Sequence, residues 1–126
     1  MILLVDAHVL IWWLMDDHAH LTDGARAAIA DPANDVVVSA ATVWELAIKR
    51  AKGRIRIPPD LGAAVEASGF SSIAVTSADA EAAARLPPHH QDPFDRMLVA
   101  QARRLGAIVV SRDGAVARYE VYVLTA

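Results

Sequence analysis

The chain contains no cysteine, which removes disulfide frameworks, thiolate nucleophiles and cysteine zinc sites together. Any bound metal must therefore be held by oxygen or imidazole. No apolar run approaches the ~20 residues that a membrane-spanning helix needs. The opening MILLVDAH meets an acid after four apolar residues, ILLV, and lacks the basic n-region of a secretory signal. The expectation is a soluble, cytoplasmic protein that does not engage a membrane. Basic charge is not in excess either: 12 Lys and Arg face 15 Asp and Glu, for a formal charge of −3. That balance excludes a surface that coats nucleic acid by general positive charge, and leaves only local patches. Neither G-x-x-x-x-G-K-[ST] nor G-x-G-x-x-G occurs, so nucleotide hydrolysis on those phosphate loops has no support. There is no repeat, linker or low-complexity segment.

What is present is 126 residues, 55% of them hydrophobic, enough to bury a core as one domain spanning 1–126. The run ILLV at 2–5, closed by Asp6, reads as a strand buried on both faces. Every residue from Val9 to Met15 is apolar, too many for one face of a surface helix, so this segment is expected to be covered nearly all round. Helices are predicted at 22–32 (Thr22 as cap, Pro32 beyond the end), 40–52 (opened by Ser39 or Thr42, closed by Gly53), 61–69 and 77–86 (Ser77 as cap). The best-defined helix is DPFDRMLVAQARRLG, with Asp92 as N-cap, Pro93 next, Arg103 and Arg104 in the last turn, and Gly106 past the end. Further strands are expected at 35–39, 72–75, 107–110 and 122–124. Short apolar runs alternating with helices predict an α/β protein with a central parallel sheet and helices on both faces, a three-layer α/β/α sandwich.

In such folds ligands bind beyond the carboxyl ends of the strands, at a topological switch point. Asp6 ends the first strand and Asp113 follows the fourth. Asp95 opens the helix that feeds the fourth strand, and Glu45 lies early in the helix leaving the second. Asp92 and Pro93 are explained by helix initiation, whereas Asp95, at the third helical position, is a weak capping choice and calls for a second reason. Each acid has a bland reading as a turn former, cap or solvated helical residue. Four carboxylates brought to one edge would raise one another's pKa values unless a cation compensates, so convergence implies a metal. All-oxygen donors suit Mg²⁺ or Mn²⁺, and two such ions ~4 Å apart can promote phosphodiester hydrolysis.

Other features are weaker. KRAKGRIR, 49–56, packs five cations into eight positions and reads equally well as a solvated helix end. His89 and His90 with Asp92 lack recognised ligand spacing, and His8 reads as packing or bonding at the start of its helix. Trp12, Trp13 and Trp44 read as core or subunit-interface anchors rather than stacking platforms.

In order, MILLVDAHVLIWWL, SAATVWELAIKRAKG, LPPHHQDPFDRMLVAQA and VVSRD resemble the PIN-domain ribonucleases, and within them the VapC toxins of bacterial type II toxin-antitoxin pairs. The likeness covers almost the whole chain, and HHxDPFDR followed by AQA is its most specific part. It implies a PIN-like α/β/α fold and an endoribonuclease whose acidic quartet, here Asp6, Glu45, Asp95 and Asp113, binds Mg²⁺ or Mn²⁺. Asp6 and Asp95 would be the most direct ligands, with Asp95 kept ionised by the positive end of its helix. Ser111 falls where members often carry Thr or Ser; it is expected to hold the last carboxylate and is counted with the substrate-binding residues Lys49, Arg50, Lys52 and Arg54, which would guide the RNA backbone. One departure is Ala7, where the family often has Thr. The likeness also implies a homodimer inhibited by a small VapB-like antitoxin, in a heterotetramer or a larger complex. The rivals are a non-catalytic module that binds RNA or antitoxin, and another Mg²⁺ enzyme on a parallel sheet. An Asp-x-Asp phosphatase would need an acid where His8 stands, and a phospho-receiver would need an acid pair near the first strand, whereas Asp16 and Asp17 lie a helix away.

Overall fold

The computed structural model describes residues 1–126. Its five strands are β1 (Ile2–Val5), β2 (Asp35–Ser39), β3 (Ser71–Ile73), β4 (Ile108–Ser111) and β5 (Tyr122–Thr125). They form one parallel sheet in the order β3-β2-β1-β4-β5. β1 is central, with Leu3 beside Val36 of β2 on one edge and beside Ile108 of β4 on the other.

Because strand side chains alternate between faces, β1 feeds two cores. Leu3 and Val5 join Val36, Val38 and Val110 on one face, under helices α1 (Ala7–Leu14), α2 (Asp23–Ala30), α3 (Ala40–Ala51) and α4 (Leu61–Ala67). Leu4 joins Val37 and Val109 on the other, where α6 (Pro93–Leu105) supplies Leu98, Val99 and Ala102 and α5 (Ser77–Ala84) packs against α6. The result is the three-layer α/β/α sandwich that the alternation predicts.

Two local expectations change. The cap of α5 is Thr76 rather than Ser77: Thr76 Oγ1 accepts from Asp79 N–H and Asp79 Oδ2 accepts from Thr76 N–H, a reciprocal capping box. The segment Val9–Met15 is not covered all round either. Val9 and Leu10 are buried, residues 11–14 are half-buried, and Met15 is 47% exposed. Part of the cover comes from imidazole: Trp12 stacks on His20 and Trp13 on His18, at 5.3 and 4.4 Å between ring centroids.

The chain runs from β1 outward to β2 and β3, then crosses back to β4 and β5. The switch point therefore lies at the carboxyl ends of β1 and β4. No helix is long and apolar enough to cross a membrane.

Candidate active site

Asp6 leaves β1 at the switch point in extended conformation and caps α1, its Oδ1 accepting from Val9 N–H at 2.9 Å. Its other oxygen accepts from Ser111 Oγ at 2.6 Å. Ser111, at the end of β4, also accepts from the Asp113 amide at 3.0 Å, so one hydroxyl ties the first acid to the last. Ser111 is only 1% exposed. Its hydroxyl meets the Asp6 carboxylate and the Asp113 backbone amide, and not the Asp113 carboxylate that the sequence reading gave it to hold.

Asp95 occupies the third position of α6. Asp92 makes the cap itself, accepting from Phe94 N–H at 2.8 Å, with Pro93 at the first position. Asp95 is thus spared from capping and lines a cleft of ≈390 Å³ together with Asp6, Glu45, Asp92 and Asp113. Glu45, on α3, enters this cleft paired with Lys49 one turn later, Nζ to Oε2 at 3.0 Å. The structure therefore brings all four sequence-identified acids to one opening.

Their protonation follows from burial. Asp6 is 5% exposed, and burial lifts its pKa despite the bonds from Ser111 and Val9. Asp95 rises to about 7, first through burial and then through the charge of Asp92, with Asp6 and Glu45 adding to the repulsion. The helix end does not hold it in the carboxylate range. Asp113 differs: burial pushes it up, but the Ala115 amide and His90 together hold it below its ordinary value. An all-carboxylate donor set in which two members are lifted by burial and mutual charge fits a hard divalent cation, because such an ion reverses both effects.

The basic residues divide. Lys49, Lys52 and Arg54 line a second cleft with Glu45, Asp92 and Phe94, next to the acidic one. Arg50 points elsewhere, donating to the carbonyls of Pro58 and Pro59 at 2.7 and 3.0 Å, and so braces the loop after α3. Both bonds come from Nη1 and engage only part of the guanidinium fork.

Sequence reasoning set His90 low as a ligand candidate and did not place Trp12 or Arg112 beside the acids. His90 Nε2 lies 2.6 Å from Asp113 Oδ2 and 3.0 Å from Asp95 Oδ2. Trp12 and Arg112 line the acidic cleft, the Arg112 guanidinium lying 4.5 Å over the Trp12 ring while it donates to the carbonyls of His20 and Ala126. His8 lines it as well, and His89 turns away onto Tyr119. Trp44 belongs to no core: it is 64% exposed, edge-on to Phe94, and lines an apolar cleft of ≈500 Å³ between α3 and α6 with Val75 and Met97.

The family model for the PIN domain matches residues 3–122. No curated protein sequence matches. Among solved structures, the chain is similar to VapBC2 from Rickettsia felis bound to a DNA fragment from their promoter, at 10% identity and TM-score 0.68, covering 98% of each chain. It is similar to FitAcB from Neisseria gonorrhoeae at 19% identity and TM-score 0.58, covering 99% of this chain and 97% of that one. A domain of a functionally unknown protein from Methanocaldococcus jannaschii matches at 18% identity and TM-score 0.56, covering 99% and 91%.

Proposed function

The chain belongs to the PIN domain family, and from that premise we propose that it is a metal-dependent endoribonuclease of the VapC kind, the toxin of a type II toxin-antitoxin pair. The observation that carries the reading is the convergence of Asp6, Glu45, Asp95 and Asp113 on one cleft at the switch point of the sheet. PIN domains are generally nucleases that use divalent metals, and the similarity to VapBC2 and FitAcB supports the toxin branch.

Asp6, Asp95, Asp113 and Glu45 are the residues to hold Mg²⁺ or Mn²⁺. When bound, such ions polarise the scissile phosphate, lower the pKa of a water and stabilise the leaving oxygen. Ser111 fixes Asp6 and the Asp113 backbone relative to one another before the ion arrives. Lys49 neutralises Glu45, while Lys52 and Arg54 in the adjoining cleft receive the phosphates that flank the cut. The cleft opens on the surface and is lined by Trp12 and Arg112 beside the acids, which suits the splayed bases of an exposed single-stranded loop of a folded RNA. The expected partners are a VapB-like antitoxin and a second copy of the chain, in a cytoplasmic complex.

The test is digestion of total cellular RNA by the purified, partner-free protein with Mg²⁺, with Mn²⁺ and with chelator, beside Asp95→Asn. Discrete fragments that need metal and disappear in the variant are expected. RNA that is retained but uncut by folded, ion-bound protein would favour the binding-module reading, and cutting that survives Asp95→Asn would place the chemistry elsewhere.

A further inference from the structure

His90, Asp95 and Asp113 place one candidate ligand atom each within 4.8 Å of one another, an arrangement that resembles a three-ligand metal site. The hydrogen bonds of the ring argue otherwise. Its Nδ1 lies 3.1 Å from the backbone nitrogen of Asp92, and an amide N–H can only donate, so Nδ1 supplies a lone pair. A neutral imidazole carries one ring proton, which then belongs to Nε2. Nε2 in turn lies 2.6 Å from Asp113 Oδ2, an acceptor. A metal-ligating histidine has the opposite polarity, offering a lone pair to the ion and donating its other N–H to a carbonyl or carboxylate. To ligate through Nε2, His90 would have to move its proton to Nδ1, where it would meet the Asp92 N–H head-on. The amide of the residue that caps α6 would then lose its acceptor.

The backbone that carries the ring is held from several sides. Tyr119 Oη accepts from the His90 amide at 2.9 Å and donates to Pro87 O at 2.7 Å, clamping both ends of the loop. Arg96 donates to five carbonyls of the same stretch, those of Ala83, Ala84, Leu86, Pro87 and His90. The His90 side chain is 17% exposed. Such bracing is more than a surface histidine needs, and it aims one N–H at the gap between two carboxylates.

We propose that His90 is a positioning residue for the metal centre and not one of its ligands: its Nε2–H ties the Asp113 carboxylate and stands against Asp95, so that both keep lone pairs turned to the cleft. This rests on the reading of that cleft as a divalent-metal site. His90 then acts on the ion through the acids it orients, as hydrogen-bond partners outside the ligand set commonly do, where their loss costs about 10–100-fold in metal affinity.

Two measurements on the full chain test it. In ¹⁵N–¹H correlation spectra of the imidazoles above neutral pH, His90 is expected in the Nε2–H tautomer in chelator, and to keep that tautomer with excess Mg²⁺. A switch to Nδ1–H on adding Mg²⁺ would make His90 a ligand and overturn the proposal. Calorimetric titration with Mg²⁺ and with Mn²⁺ then compares wild type, His90→Ala and His90→Gln, each checked for folding by circular dichroism. His90→Ala is expected to weaken both ions by a similar factor, about 10-fold or more. His90→Gln, which keeps an N–H donor, is expected to recover part of the loss. A loss selective for Mn²⁺, the ion that better accepts nitrogen, points to ligation and overturns the proposal; so does unchanged affinity in His90→Ala. If the wild type binds neither ion, the metal reading itself fails and this proposal with it, an outcome told apart by the wild-type control.

Discussion

Asp95 is ionised at a cost that its own helix does not remove. The interaction of a first-turn carboxylate with a helix N-terminus contributes about 0.3–1 kcal/mol. Burial, followed by the charge of Asp92, outweighs it and lifts the group to about 7. On the proposed reading of the cleft, a divalent cation is the partner that would offset this cost. Asp95→Asn keeps the size of the side chain and removes its charge. In chelator at about pH 8 the variant is therefore expected to unfold at a higher temperature than the wild type, by on the order of 1–2 kcal/mol of stability. In the RNA digestion the same variant should lose metal-dependent cleavage by about 100-fold or more. Thermal unfolding in chelator checks the first half, and a variant less stable than wild type there would show that Asp95 already has a compensating partner within the fold.

Elements whose signals are local were legible. The last long helix, α6, begins with Asp92 and Pro93 and ends at Gly106 in the left-handed region, φ +65°, as its sequence implies, because caps are decided within a few residues. The five strands fall within one or two residues of their predicted places for the same reason. What joins one element to another was not legible. Asp79 is buried, and besides closing the α5 capping box it receives Arg104 Nε at 2.6 Å, Arg104 Nη2 at 3.0 Å and Gln101 Nε2 at 3.2 Å, all from α6. These partners lie 22 and 25 positions away, and no periodicity announces them. Trp44 shows the converse: an aromatic residue among apolar neighbours reads as a core or a subunit-interface anchor, and its turn of α3 faces outward, which leaves only the second. Asp79 should act as the main polar bolt between α5 and α6. Asp79→Ala removes a cap and the acceptor of Arg104, while Gln101 keeps its bond to the Ala74 carbonyl, with an expected loss of about 1–3 kcal/mol in denaturant unfolding. A loss under about 0.5 kcal/mol, the size of an ordinary surface change, would mean that apolar contact and the Arg96 bonds to Ala83 and Ala84 suffice to hold the two helices.

On the scale of the whole molecule, the strand-end acids were legible because a parallel sheet has one carboxyl edge and one switch point, so Asp6 and Asp113 had to arrive together. His90, Trp12 and Arg112 were not, since a loop histidine and the flank of a helix reach that edge only through the completed fold. The same convergence shapes how the molecule responds to pH. Asp95 moves from an ordinary 3.8 to about 7 on folding, and Asp6 moves in the same direction. Between those values the folded chain keeps a proton that the unfolded chain has released. Stability of the metal-free protein must then fall as pH rises through this window, by on the order of 1–2 kcal/mol for Asp95 alone once its partial exposure to solvent is counted. Asp79 has the opposite sign: held at about 2, first by its bond from Arg104, it contributes stability above 3.8 that is lost as pH falls towards 2. The metal-free protein should accordingly be most stable near the ordinary Asp value, at about pH 4, and lose stability on both sides. A divalent ion competes with the proton at Asp95, so its affinity should climb with pH up to about 7 and level off above it. With excess Mg²⁺ the alkaline decline should flatten or reverse, because binding to the folded state alone adds stability that grows with ion concentration. Unfolding temperatures across pH, in chelator and in Mg²⁺, read both limbs at once. An unfolding temperature in chelator that stays level from about pH 5 to 8 would show that the acids are already compensated without the ion.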